Sequence, residues 1–160
     1  MEKVKINLPV MAEVHARGEK PEYLFWVGCA GAFDDRYKKV VRAFVKILHY
    51  LKVSYAVLGK EESCTGDPAR RAGNEMLFQM QALRNIELFN SYGIDKIITI
   101  CPHCYNIFKN EYPDLGANFT VINYLQFLNK YINEGTLKIK SEIFKNKRVT
   151  YHDPCYLGRG

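Results

Sequence analysis

The chain of 160 residues lacks a nucleotide fingerprint, a membrane-length apolar run and an even number of cysteines. Each absence removes a class of function. After the first apolar run, Gly28-Cys29-Ala30-Gly31 carries neither the further glycine nor the later acidic residue of a dinucleotide site, and no Walker loop occurs. A nucleotide-dependent enzyme is therefore set aside. Lys or Glu interrupts every apolar stretch well short of bilayer thickness. Five cysteines without a secretory leader argue against a disulfide framework and for metal or redox chemistry in a reducing, cytoplasmic compartment. A hydrophobic share of 48% supports a core that needs no covalent staples. The net charge of +6 gathers at Lys38, Lys39, Arg42 and Lys46 and at Lys138, Lys140, Lys145, Lys147 and Arg148. No aromatics track these cations along one face, so they read as solvated surface rather than as a nucleic-acid footprint.

What is present is a strand–helix alternation. Residues 1–22 read as an N-terminal arm with one helical turn around Met11–Ala16. Residues 23–28 (YLFWVG) form a short continuous apolar run, the pattern of a strand buried on both faces. Asp34 or Asp35 can cap the next segment, in which Tyr37, Val40, Val41, Phe44, Val45, Leu48 and Leu51 recur at helical spacing. Strands are expected again at 54–58, 96–100, 119–123 and 148–152. Helices are expected at 74–92, closed by Gly93, at 102–112, opened by Pro102, and at 125–133. This order predicts an α/β fold: a parallel, Rossmann-like sheet of four to five strands flanked by helices. The expected organisation is an arm (1–22), a cysteine-rich α/β domain (23–147) and the truncated start of a second repeat (148–160).

Four cysteines fall at or just beyond strand ends. Cys29 ends the first strand, Cys64 lies in the loop after the second, Cys101 ends the third and Cys104 opens the next helix. Parallel sheets gather their sites at the carboxyl ends of strands, so all four should meet at one edge. Thiolates at helix starts are stabilised by free N–H groups, which can also bond cluster sulfides. The readings that follow are a cysteine-held metal centre, iron–sulfur or tetrahedral zinc, a Cys-Pro-His-Cys thiol–disulfide exchange site, or buried free thiols. Against exchange, the motif follows the third strand rather than the first, and it leaves Cys29 and Cys64 unexplained. His103, His152, His15 and His49 read as ordinary surface or sheet-end histidines, Asp67 as a helix cap, and Trp26 as a buried neighbour of the site.

The spacing is Cys29, 34 residues, Cys64-Thr65-Gly66, then Cys101-Pro102-His103-Cys104 after another 34 residues. With Glu62-Ser63-Cys64-Thr65-Gly66-Asp67-Pro68, it resembles the cysteine-rich CCG-domain family, which includes the B and D subunits of heterodisulfide reductase and iron–sulfur subunits of glycolate- and lactate-oxidising systems. The resemblance covers residues 23–160, with His152-Asp153-Pro154-Cys155-Tyr156-Leu157-Gly158-Arg159 similar to the opening of a second copy. It implies an iron–sulfur electron-transfer subunit of a heterodisulfide-reductase-like oxidoreductase, with Cys29, Cys64, Cys101 and Cys104 as ligands and Cys155 assigned to a second site. Thr65 stands where the family has a second cysteine, which favours a four-thiolate [4Fe–4S] cluster over a five-thiolate one. The implied partners are other iron–sulfur proteins or flavoproteins, with peripheral attachment at the inner face of a membrane through them.

Overall fold

The computed structural model describes residues 7–139 and 141–158. A helical turn, α1 (Met11–Ala16), precedes β1 (Tyr23–Trp26). Two helices follow, α2 (Gly28–Phe33) and α3 (Asp35–Tyr50), then the short β2 (Tyr55–Ala56). A loop with a 3₁₀ turn leads through α4 (Asp67–Arg71) to the long α5 (Glu75–Ser91) and β3 (Lys96–Thr99). The chain continues into α6 (Pro102–Asn106), prolonged by a π turn (Ile107–Glu111), then β4 (Thr120–Asn123) and α7 (Tyr124–Asn133). A last helical turn, α8 (Cys155–Gly158), closes the described chain.

The strands form one four-stranded parallel sheet in the order β2-β1-β3-β4. Its register pairs Leu24 with Ala56 on one side and with Ile97 on the other, and carries Trp26 to Thr99. Side chains alternate across a strand, and β1 divides accordingly. Leu24 and Trp26 join Ala56, Leu58 and Ile97 in a core completed by α1, α5 and α6. Tyr23 and Phe25 join Tyr55, Val57, Ile98 and Ile100 in the opposite core, covered by α3 and α7. This is why the strand sequences are continuously apolar: helices cover both faces.

The helix starts follow their side chains. Asp34 accepts from the N–H groups of Arg36 and Tyr37 and opens α3. Asn74, not Asp67, caps α5, accepting from Leu77 N–H. Asn123 and Gln126 form a reciprocal capping box on α7. Periodicity gives no sign of α2, whose residues (GCAGAF) carry no amphipathic pattern. The strand expected at 148–152 is corrected by the structure. Residues 148–152 lie in no strand, and Val149 and Tyr151 stand largely exposed. β-branched and aromatic residues make a strand only where a neighbouring edge accepts their hydrogen bonds. The arm is joined to the sheet: Val10 bridges Val57, and Met11 and Val14 are buried in the core.

Two substitutions test this packing. Phe89 is fully buried and packs edge-on against Trp26 and Phe119, so Phe89→Ala is expected to cost about 3–5 kcal/mol in a urea unfolding curve. Gly66 has φ +89°, and a Cβ there would meet Phe78 Cδ2 at 2.8 Å and the Phe78 carbonyl oxygen at 3.2 Å. Gly66→Ala combines left-handed strain with overpacking and is expected to cost about 2–4 kcal/mol by the same measurement.

Candidate metal centre

The strand order decides where the cysteines emerge. The chain leaves β1 to form β2 on one side and returns to add β3 on the other, so β1 and β3 are neighbours with parallel exits. This is a topological switch point, and its crevice opens beyond the carboxyl ends of the two strands. Gly28 and Cys29 follow β1 there, and Cys101 follows β3.

Gly28 is the contact between the two exits. Its φ is +74°, and its open side faces Cys104 Sγ and Cys101 Cβ, which a Cβ there would meet at 3.7 and 3.8 Å. Cys101 is the N-cap of α6, and Cys104, in the first turn, is buried. The thiol of Cys104 donates to Cys101. That bond, with the backbone N–H groups of Cys104 and His103, holds the Cys101 thiol down at about 6. Its counterpart is the Cys104 thiol, pushed well up by the same bond and by burial. Within the pair the proton is thus favoured on Cys104 over Cys101.

The loop after β2 comes to the same place. Thr65 is buried, and its side chain reaches the Cys104 sulfur. Buried polar groups hold the loop. Asn85 on α5 donates to the Cys64 carbonyl at 3.0 Å and to the Tyr112 hydroxyl at 3.0 Å, and it accepts from Ser63 Oγ at 2.8 Å. The Tyr112 hydroxyl donates to the Thr65 carbonyl at 3.0 Å. Gly66 N–H points back to Cys64 Sγ at 3.4 Å. Sequence reasoning passes over Asn85 and Tyr112, which look like ordinary members of amphipathic segments.

Behind the loop, α4 is tied to the π turn by ion pairs. Arg70 Nη1 reaches Glu111 at 2.6 Å, and Arg71 pairs with Glu111 and, at 3.4 Å, with Asp67. The buried Asp67 also takes His103 Nδ1 at 3.0 Å. The histidine between the two cysteines is therefore directed to a carboxylate. On its other side its ring packs on Tyr156 of α8, centroids 4.3 Å apart.

The structure thus brings Cys101, Cys104 and the Cys64–Thr65 loop together around Gly28. Cys29 follows Gly28 directly, with its side chain exposed. Cys155, also exposed, opens α8, which packs on α6. All five cysteines are free thiols. Among the described residues no three His, Cys, Asp or Glu side chains are grouped as one ion would require. The paired thiols at the start of α6 suit metal–thiolate chemistry, whether iron–sulfur or zinc. Trp26 supplies a further sign of fit. Its indole N–H is buried without a well-formed partner among the described residues, and it approaches the Cys104 sulfur. A buried orphan donor at a thiol is suited to bond thiolate or sulfide.

One more side chain completes the crevice. Glu62 is half-buried and accepts from Val27 N–H at 3.1 Å and Gly28 N–H at 2.6 Å. Burial pushes its carboxyl up to about 7, while the two N–H bonds pull it down.

No helix among the described residues is long and apolar enough to cross a membrane. Comparison with known proteins places this geometry. The chain is 49% identical over 142 residues to the EtfAB:quinone oxidoreductase of Syntrophomonas wolfei, covering 89% of the chain and 20% of that protein. It is 43% identical to the probable iron-sulfur-binding oxidoreductase FadF of Bacillus subtilis, covering 96% of the chain and 21% of that protein. It is 32% identical to the D subunit of the dihydromethanophenazine:CoB–CoM heterodisulfide reductase of Methanosarcina barkeri, over 88% of the chain and 35% of that protein. The chain thus spans about a fifth to a third of these curated relatives. No solved structure matches it. The profile of the CCG cysteine-rich domain matches residues 23–109, a segment that holds all four of the cysteines at the strand exits. The chain belongs to the CCG cysteine-rich domain family.

Proposed function

We propose that this chain is part of an iron–sulfur electron-transfer subunit in a heterodisulfide-reductase-like oxidoreductase complex. The observation that carries the reading is the convergence of the Cys101–Cys104 pair, Gly28 and the Cys64–Thr65 loop at the β1–β3 switch point. The names of its relatives, an iron-sulfur-binding oxidoreductase and the D subunit of a heterodisulfide reductase, support it. The ligands would be Cys29, Cys64, Cys101 and Cys104. Thr65 in place of a fifth thiol favours a [4Fe–4S] cubane, since a neutral buried hydroxyl is a poor iron ligand beside four thiolates. When bound, such a cluster supplies one-electron transfer. The residues around it would fix its place: Gly28 admits it by having no side chain, Trp26 and Gly66 offer N–H groups, and the aromatic core keeps water from its inner side. Partners would be iron–sulfur or flavoprotein subunits, with any contact to a membrane made at the cytoplasmic side through them. Cys155 would serve a second centre. The organisation that goes with this is an arm before residue 23, the cysteine domain to 147, and a second repeat opening at 148.

One observation favours thiol–disulfide exchange as a second reading. Cys101 is a low-pKa thiol at a helix start, paired with a thiol that could resolve a mixed disulfide.

The test is protein purified without oxygen and analysed for iron, sulfide and zinc alongside visible absorption. Brown protein containing iron and acid-labile sulfide is expected. Colourless, zinc-replete protein would sink the cluster reading. Serine at position 29, 64, 101 or 104 should each remove most of the iron, whereas Cys155→Ser should leave it in place. Metal-free protein that reduces a model disulfide, and loses that ability in Cys101→Ser, would establish the exchange reading instead.

A further inference from the structure

The Glu62 carboxylate joins two loops that lie 34 residues apart in the chain. Its backbone setting is specific. Val27 is in the right-handed helical region (φ −75°, ψ −40°), and Gly28 follows with φ +74°. Two successive N–H groups in such a right-then-left pair form a concavity that binds an anion. In nucleotide-binding α/β proteins the turn after the first strand is where phosphate sits. Here both N–H groups are taken by a side chain of the protein itself, at 3.1 and 2.6 Å, in a half-buried setting. A phosphate is therefore shut out of this turn, and the turn is attached to the loop that carries Cys64.

We propose that Glu62 is a positioning residue, whose carboxylate in the Val27–Gly28 nest sets the direction in which Cys29 leaves β1 relative to Cys64. The proposal rests on the cluster reading for the purpose of that positioning, but the contact can be tested apart from it. Cys29 is the one strand-exit cysteine with an exposed side chain. No hydrogen bond between its side chain and another residue occurs among the described residues, so its placement depends on the backbone that precedes it. Cys64, by contrast, is held by Asn85 and Gly66, and Cys101 by Cys104. A carboxylate can accept from both N–H groups, whereas an amide of the same shape offers one oxygen and turns an N–H₂ towards the other donor.

The experiment uses Glu62→Gln, Cys29→Ser and the double variant of the chain. In protein without metal, hydrogen exchange at the Val27 and Gly28 amides should rise about tenfold in Glu62→Gln. Exchange at Phe25 and Ile98, deep in the sheet, should not change. After anaerobic reconstitution with iron and sulfide, Glu62→Gln should lose as much iron as Cys29→Ser. The double variant should lose no more than either, because both changes remove one ligand. Unchanged exchange at Val27 and Gly28 would overturn the proposal, as would a Glu62→Gln chain that takes up as much iron as the wild type. If Glu62→Gln fails to fold, Glu62→Asp, which keeps the charge one methylene short of the nest, replaces it. Collapse of both variants would mean that the contact serves folding rather than Cys29, and would also overturn the proposal. Wild-type chain that takes up no iron would defeat the cluster reading alone, and the exchange result would still decide whether Glu62 holds the turn.

Discussion

Parallel pairing of β1 with β3 is the constraint from which the site follows. Leu24, Phe25 and Trp26 face Ile97, Ile98 and Thr99 in register, so the two strands end at the same level and point the same way. Whatever follows them must emerge side by side. Cys29 and Cys101 are 72 positions apart in the chain, yet they leave neighbouring strands. The cores on both faces lock that register, because a slip of one residue would exchange Leu24 and Trp26 with Tyr23 and Phe25 between two differently shaped layers.

The crevice is then closed by backbone economy and buried polar bonds. Gly28 brings the β1 exit against Cys101 and Cys104. Asn85 and Tyr112 hold the Cys64 loop from below, through bonds that replace water in a buried setting. The ion pairs of Arg70 and Arg71 with Glu111 brace α4 from the outside. They are partly exposed, and their role is orientation more than stability. The site is therefore rigid where Cys64, Cys101 and Cys104 attach and open where Cys29 attaches.

The same turn explains a missing function. An α/β sheet with a glycine turn after its first strand is a natural phosphate site, and in the sequence the incomplete glycine pattern, the missing acidic residue and the absent Walker loop speak against a nucleotide. The structure adds a positive reason: the anion that the turn binds is the Glu62 carboxylate.

Strand runs such as YLFW and KIIT, the helical period of 37–51 and the capping residue Asp34 were legible from sequence, because each depends on neighbours a few positions away. So was the placement of four cysteines at strand ends, since parallel sheets gather their sites at one edge. Three features were decided only by tertiary structure. Residues 148–152 have strand-forming side chains but pair with neither edge of the sheet, and pairing is not a local property. The α2 turn has no amphipathic pattern, and it forms where a strand exit must bend away from its neighbour. The roles of Glu62, Asn85 and Tyr112 come from contacts 21 to 47 residues long. Composition and periodicity record which segments are buried, but a hydrogen bond between distant segments exists only once the sheet has set them side by side.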